Sequence, residues 1–379
     1  MRNPPLSLYV HIPWCVQKCP YCDFNSHGLK SSLPEKEYVA HLLDDLALDA
    51  KRIGNRQVDT IFIGGGTPSL FSADAIHALI MGIKARVNLS SHAEITMEAN
   101  PGTVESGKFS GFYDAGINRM SVGIQSFQTK HLKVLGRIHD SNQARMAVQQ
   151  AHAAGLPTFN LDLMHGLPDQ TIENAMSDLN EGIALNPYHL SWYQLTIEPN
   201  TPFYSRPPDL PDDDILWDIQ QYGHQKLREA GYEQYEISAY AKLGHQCNHN
   251  LNYWRFGDYL GIGCGAHGKI THSENGTITR TVKVKHPRGY MEISRPYLDS
   301  EQVVAADDLP FEFFMNRFRL VEPCPIDDFE ALTGQRLTEE VVVALRDAEE
   351  QGLLATTSST WQVTDKGRRY LNTLLSCFV

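Results

Sequence analysis

No stretch of this 379-residue sequence approaches the roughly 18 consecutive apolar residues of a membrane-spanning helix. The first five residues hold one basic residue and no apolar segment ending in small residues, so a secretory leader is not expected. The expectation is therefore a cytoplasmic chain whose thiols stay reduced. Basic residues are in the minority, 33 against 45 acidic ones, for a formal charge of −12. Such a chain is poorly suited to follow a phosphate backbone, so no nucleic-acid partner is expected. Internal repeats and low-complexity segments are also missing. Cysteines number seven, an odd count. In a reducing compartment clustered cysteines read as metal ligands before disulfides. What the sequence does have is a 42% apolar fraction, enough for a sizeable core.

The first half alternates strand and helix. Runs at 7–13, 58–63, 93–99, 118–125, 158–164 and 189–197 read as six strands, and helical periodicity fills 35–53 and 72–87, with Ser72 as N-cap. Repeated βα units imply a parallel sheet with right-handed crossovers. Polar and Gly/Pro residues gather after each strand, which predicts one shared mouth at the C-terminal strand ends. Residues 200–214 read as a connector or lid and 215–230 as a further helix. A hairpin is expected at Asn275-Gly276. From 310 the pattern is helices, then a hairpin, then a last helix, which resembles a winged helix. Its recognition-helix equivalent, 338–352, carries five acids against Arg346, so DNA binding is not expected of it.

Cys15-Val-Gln-Lys-Cys19-Pro-Tyr-Cys22 follows the first strand. Three thiolates do not complete the four-ligand shell of structural zinc. They suit an iron–sulfur cubane with one iron left open. Preceded by Tyr9-Val-His11, this C-x3-C-x2-C resembles the signature of the radical SAM family. The resemblance implies a [4Fe–4S] cluster on Cys15, Cys19 and Cys22, with S-adenosylmethionine (SAM) chelating the open iron. In that family an electron from the cluster breaks the sulfonium bond and yields a 5′-deoxyadenosyl radical. The implied fold is α/β, a partial (β/α)6-type radical SAM barrel over residues 1–235. A smaller C-terminal α+β domain, 236–379, would end in the winged-helix-like part from about 310.

The same resemblance assigns roles at other strand ends. Gly64-Gly65-Gly66-Thr67-Pro68 corresponds to the family motif that holds the SAM amino group, so Gly65, Gly66 and Thr67 are candidates. Glu98 resembles the acidic ligand of the SAM ribose. Gln125, Arg137 and Asp162 resemble further SAM contacts, and Tyr9 and His11 residues beside the cluster. Gly263-Cys-Gly-Ala-His-Gly268 fits G-x-G-x-x-G but precedes a polar hairpin rather than a helix, so a dinucleotide site is not expected there.

GGGTP, EANPG, VGIQSF and GLPDQ together resemble the oxygen-independent coproporphyrinogen dehydrogenases and their relatives. Phe24 stands where the dehydrogenases carry a fourth cysteine, and only eight residues precede Tyr9 where they have a long arm. His249-Asn250-Leu-Asn-Tyr253-Trp254 instead resembles a branch read as heme chaperones. Imidazole is a standard heme ligand, and Tyr253 and Trp254 offer flat apolar faces. The resemblance implies heme binding through His249, Asn250, Tyr253 and Trp254, with Cys247 and His245 as other candidates for the iron. It also implies transfer of heme to acceptor proteins, among which membrane hemoproteins would bring peripheral membrane contact. The alternatives are a radical SAM oxidoreductase acting on a porphyrinogen and a non-catalytic iron–sulfur protein. From residue types alone, His249 reads as a hydrogen-bonded core histidine with Tyr253 and Trp254 packed under the mouth; it is the resemblance that favours heme.

Overall fold

The structure, a computed structural model, describes residues 1–30, 32–103, 107–292 and 294–378. Six strands run parallel in sequence order: β1 (Leu6–Ile12), β2 (Gln57–Gly65), β3 (Asn88–Ala99), β4 (Arg119–Gln125), β5 (Thr158–His165) and β6 (His189–Gln194). β1 and β4 are buried almost throughout, as strands covered on both faces must be. Crossover helices cover the outer face. α1 (Glu35–Ile53) buries Tyr38, Leu42 and Leu46 at a four-residue spacing. α2 (Ala73–Lys84) starts at Ser72, whose hydroxyl accepts the Ala75 N–H. α3 (Lys108–Asp114) leads to β4. α4 (Ser141–Ala153) and α5 (Ile172–Ala184) open with reciprocal capping boxes, Asp140 with Gln143 and Thr171 with Asn174. α6 (Asp213–Glu229) follows β6.

The six-strand arc is open, and both edges are extended. Beyond β6 lie β7 (Glu233–Gln234) and β8 (Ala239–Ala241), with β8 pairing antiparallel to β6. On the other edge a short helix, α7 (Asn248–Trp254), leads into β9 (Asp258–Ile262), which pairs parallel to β1. β10 (His267–His272), β11 (Thr277–Lys283) and β12 (Leu298–Val303) continue that edge as antiparallel strands. The expected hairpin sits between β10 and β11, with Gly276 at φ 71°. The 263–268 glycine run joins β9 to β10 and opens no helix.

A second hydrophobic core gathers α8 (Leu309–Arg317), α9 (Ile326–Thr333) and α10 (Glu339–Glu350) around Phe313, Phe314, Phe329 and Trp361. Three short strands, β13 (Cys324–Pro325), β14 (Leu354–Thr356) and β15 (Thr360–Val363), complete the winged-helix arrangement in the order β13-β15-β14. Phe256 and Ile278 join this core from the main sheet's side.

Two strand boundaries and one helix differ from the sequence reading. β3 begins at Asn88, because Gln57 and Val58 pair with Asn88 and Leu89 although that segment is polar and exposed. β6 ends at Gln194, opposite the last residue of β5, and the Leu195 N–H makes the final bond of that ladder to the His165 carbonyl. α7 lies in a segment whose Gly, His and aromatic content carries no helical signal. Among the described residues, no helix is long and apolar enough to cross a membrane.

Candidate active site

Residues from the ends of the parallel strands line one cavity of about 490 Å³. Cys15, Cys19 and Cys22 lie on its wall with Gly65, Gly66, Thr67, Glu98, Gln125, Arg137 and Asp162. The polar groups predicted to share a mouth therefore do share one. All three thiols are free. Each faces a different polar neighbour: Thr67 Oγ1 is 3.4 Å from Cys15 Sγ, an Arg137 guanidinium nitrogen 3.7 Å from Cys19 Sγ, and Ser26 Oγ 3.8 Å from Cys22 Sγ. Burial raises the Cys15 and Cys22 thiol pKa values above their ordinary value. Among the described residues, no three His, Cys, Asp or Glu side chains converge so as to hold a single metal ion. A tetrahedral zinc site needs sulfurs about 3.8 Å apart, from Zn–S bonds of about 2.3 Å. In a cubane each thiolate binds its own iron, so this donor set fits the cluster better than zinc.

The glycine loop is fastened to β1 and its sequel. Gly66 N–H donates to the Ile12 carbonyl at 2.6 Å, and Thr67 N–H to the Trp14 carbonyl at 2.8 Å. Gly65 N–H donates to Glu98 Oε2 at 3.0 Å. All three donors are consumed, so the loop offers a ligand carbonyl oxygen, which suits an ammonium group. Gly65 has φ 109°, and a Cβ there would lie 2.4 Å from the His11 ring. Only glycine allows this approach.

Burial, then the charge of Asp162, pushes the Glu98 carboxyl up to about 7 against the Gly65 N–H, which lowers it. Asp162 accepts from Ser121 Oγ at 3.0 Å and Asn160 Nδ2 at 2.8 Å, and burial raises its pKa too. Two such carboxyls on one cavity wall favour a cation or hydroxyl-rich ligand. Gln125, at φ 68°, accepts the Tyr193 hydroxyl at 2.8 Å. Arg137 donates to the Gly123 carbonyl at 2.7 Å, and its buried Nε has no partner.

A second, wider cavity of about 980 Å³ adjoins the first. Phe24, Gly65, Glu98, Asn250 and Trp254 line both. Tyr9 and His11 lie on the wide cavity's wall. The Tyr9 hydroxyl meets His11 Nδ1 at 3.0 Å, and His11 Nε2 meets the Asn25 carbonyl at 2.9 Å. His249 and Tyr253 also line it, but His249 is only 1% exposed. Its Nδ1 is 2.8 Å from Thr60 Oγ1 and its Nε2 2.8 Å from the Tyr253 hydroxyl. Burial, then the Arg119 charge, holds its pKa at about 3, so it is neutral. The helix carrying it is pinned by Glu94, whose carboxylate accepts the backbone N–H groups of Asn248 and His249, both at 3.0 Å. The buried Trp254 Nε1 has no partner. Cys247 is buried against Glu94 and His245 stacks on Tyr188, and neither lines the wide cavity.

Comparison with known proteins agrees with this geometry. The Radical SAM superfamily domain matches residues 9–179 and the HemN C-terminal domain matches 304–370. The chain is 60% identical over its whole length to the heme chaperone HemW of Escherichia coli, covering 99% of that protein. It is 32% identical to the heme chaperone HemW of Bacillus subtilis, over 98% of this chain and 99% of the other. The chain belongs to the HemW family of the radical SAM superfamily. Its backbone also follows the E. coli coproporphyrinogen III oxidase HemN, at a TM-score of 0.84 and 23% identity over 99% of this chain and 90% of that one, a likeness of fold.

Membership in the HemW family brings a [4Fe–4S] cluster and SAM as cofactors. Several residues on or behind the walls escaped the sequence reading: Ser121, Ser191 and Tyr193 line the narrow cavity, Asn160 holds Asp162, and Glu94 anchors the His249 helix. Four of them carry a recoverable signal. Ser121, Gly123 and Gln125 on β4, and Ser191 and Tyr193 on β6, recur with period two inside apolar strands, as does Asn160 with Asp162 on β5. Alternation of polar residues within a buried strand marks the face turned to the mouth.

Proposed function

We propose that this HemW-family chain binds heme in the wide cavity and passes it to acceptor hemoproteins, while Cys15, Cys19 and Cys22 hold the [4Fe–4S] cluster beside it. The observation that carries the reading is the junction of the two cavities. Phe24, Asn250 and Trp254 belong to both walls, so a planar cargo in one lies against the cofactors in the other. The HemW relatives' names point to the cargo. Phe62, Tyr253 and Trp254 give a porphyrin apolar faces, and Trp254 Nε1 is a donor waiting for an acceptor.

His249 is the proposed iron ligand. Its Nε2 becomes available when the Tyr253 hydroxyl turns away, and Nδ1–H then donates to Thr60. Thr60 is braced by Ser7 Oγ at 2.7 Å, which accepts from Asn252 Nδ2. Such a partner behind a metal-bound histidine fixes ring orientation.

On the cofactor side, the residues' roles follow from their positions. The Gly65–Thr67 loop offers carbonyl oxygen to the SAM amino group. Glu98 and Asp162 accept hydroxyl hydrogens, and Arg137 stands over the Cys19 thiolate. The bound cluster and SAM supply one-electron cleavage chemistry; in this reading that chemistry gates or conditions the cargo rather than decarboxylating it. The division into residues 1–235 and 236–379 belongs to this reading, with 236–303 supplying α7 and four strands to the cargo side. We place the protein in the cytoplasm, touching the membrane edge where acceptors are membrane hemoproteins.

The test is transfer. The chain is loaded with heme, mixed with a heme-free hemoprotein, and the Soret band is followed under anaerobic conditions with reductant and SAM. Heme appearing on the acceptor faster than from free heme supports the reading. Retained heme, together with decarboxylation of added coproporphyrinogen, would replace it with the oxidoreductase alternative.

A further inference from the structure

In a chain of formal charge −12, the wide cavity stands out by its cations. Lys18, Lys285 and Arg280 reach its wall, against the carboxyls of Asp23 and Glu98. Lys269 also lines it but is neutralised by Asp258 at 3.0 Å. Arg280 is partly committed, donating to the Tyr259 hydroxyl at 2.7 Å and to Glu312. Lys18 and Lys285 are different. Both are exposed, and among the described residues neither ammonium meets a carboxylate. Two cations without a carboxylate partner, on a wall that also carries Phe24, Phe62, Tyr253 and Trp254, suit an apolar ligand with anionic groups at its edge.

The two lysines are mechanically linked. Lys18 Nζ donates to the Phe24 carbonyl at 2.9 Å. The next residue, Asn25, donates from Nδ2 to the Lys285 carbonyl at 2.8 Å and to the Cys264 carbonyl at 3.0 Å. The cysteine loop and the end of β11 thus share one staple at the rim.

We propose that Lys18 and Lys285 form an anion subsite that receives the two carboxylates of the cargo porphyrin. This rests on the heme reading above and deepens it, by fixing which edge of the macrocycle enters last. The carboxylate takes another of the three N–H donors of Lys18, one of which is held by the Phe24 carbonyl. Because Lys18 lies between Cys15 and Cys19, cargo arrival is felt by the loop that holds the cluster.

The experiment titrates the full, cluster-reconstituted chain with heme and with heme dimethyl ester, whose carboxylates are blocked. Wild type and the Lys18→Gln/Lys285→Gln double variant are compared. Wild type should bind heme at least about tenfold more tightly than the ester, as one to two charge-assisted hydrogen bonds give. The double variant should bind both compounds alike, near the ester's affinity for wild type, and lose the salt dependence of heme binding. Equal wild-type affinity for heme and ester, or an unaltered preference in the double variant, overturns the subsite while leaving heme binding intact. Failure of wild type to bind either compound overturns the subsite together with the heme reading. The wild-type comparison of the two ligands stands even if the variant folds poorly.

Discussion

Replacing Tyr253 by Phe should make heme bind more tightly while making the empty protein less stable. In the structure His249 Nε2 pairs with the Tyr253 hydroxyl at 2.8 Å, and Nδ1 is held by Thr60. Iron can reach Nε2 only after that bond breaks. A net hydrogen bond is worth about 0.5–1.5 kcal/mol, so its removal should raise heme affinity about two- to thirteenfold. The ring itself stays: its edge-on contacts with His249 and Tyr259, at centroid distances of 4.7 and 4.5 Å, do not need the hydroxyl. Without cargo, a buried ring nitrogen is left unpaired, at a cost of about 1–3 kcal/mol. Heme titration by Soret absorbance measures the first effect and urea unfolding of the heme-free chain the second. Weaker or unchanged heme binding in Tyr253→Phe, with the expected loss of stability, would refute Nε2 as the iron-binding atom.

Three further outcomes follow from the cofactor side. Cys19→Ser should abolish the visible absorbance of the reconstituted cluster; full intensity would remove Cys19 from the ligand set. Gly65→Ala should lower the unfolding temperature by a backbone cost of about 1–2 kcal/mol plus displacement of the His11 ring, and a wild-type melting curve would contradict the close approach. Glu98 has a folded pKa raised from 4.5 to about 7, so between those values the folded state binds more protons than the unfolded one. Wild type should therefore lose stability relative to Glu98→Gln as pH rises through that window and run parallel to it above. Parallel curves throughout would show that Glu98 is not held protonated.

The sheet was legible because parallel strands covered on both faces leave long apolar runs, and most of them end in glycine, proline or acid. The mouth was legible for the same reason: the polar residues at the ends of six strands converge on one cavity. Of the extension from β9 to β12 only the hairpin at Asn275-Gly276 was legible; the docking of β9 on β1 was not, because it spans a separation of some two hundred and fifty residues and the strand's own pattern is short and glycine-rich. The environment of His249 was hidden too. Its two partners come from β2 and from its own helix, and a histidine in sequence does not show that both nitrogens are taken. Glu94, which anchors that helix from the middle of β3, looks in sequence like any polar strand residue.

The central claim, a heme site at His249 beside the cluster, is tested most directly by titrating heme into the anaerobically reconstituted chain, with His249→Ala in parallel. The account predicts saturation near one heme per chain in wild type, and weaker binding with a shifted Soret band in the variant. Identical affinity and spectrum in the two proteins would contradict it.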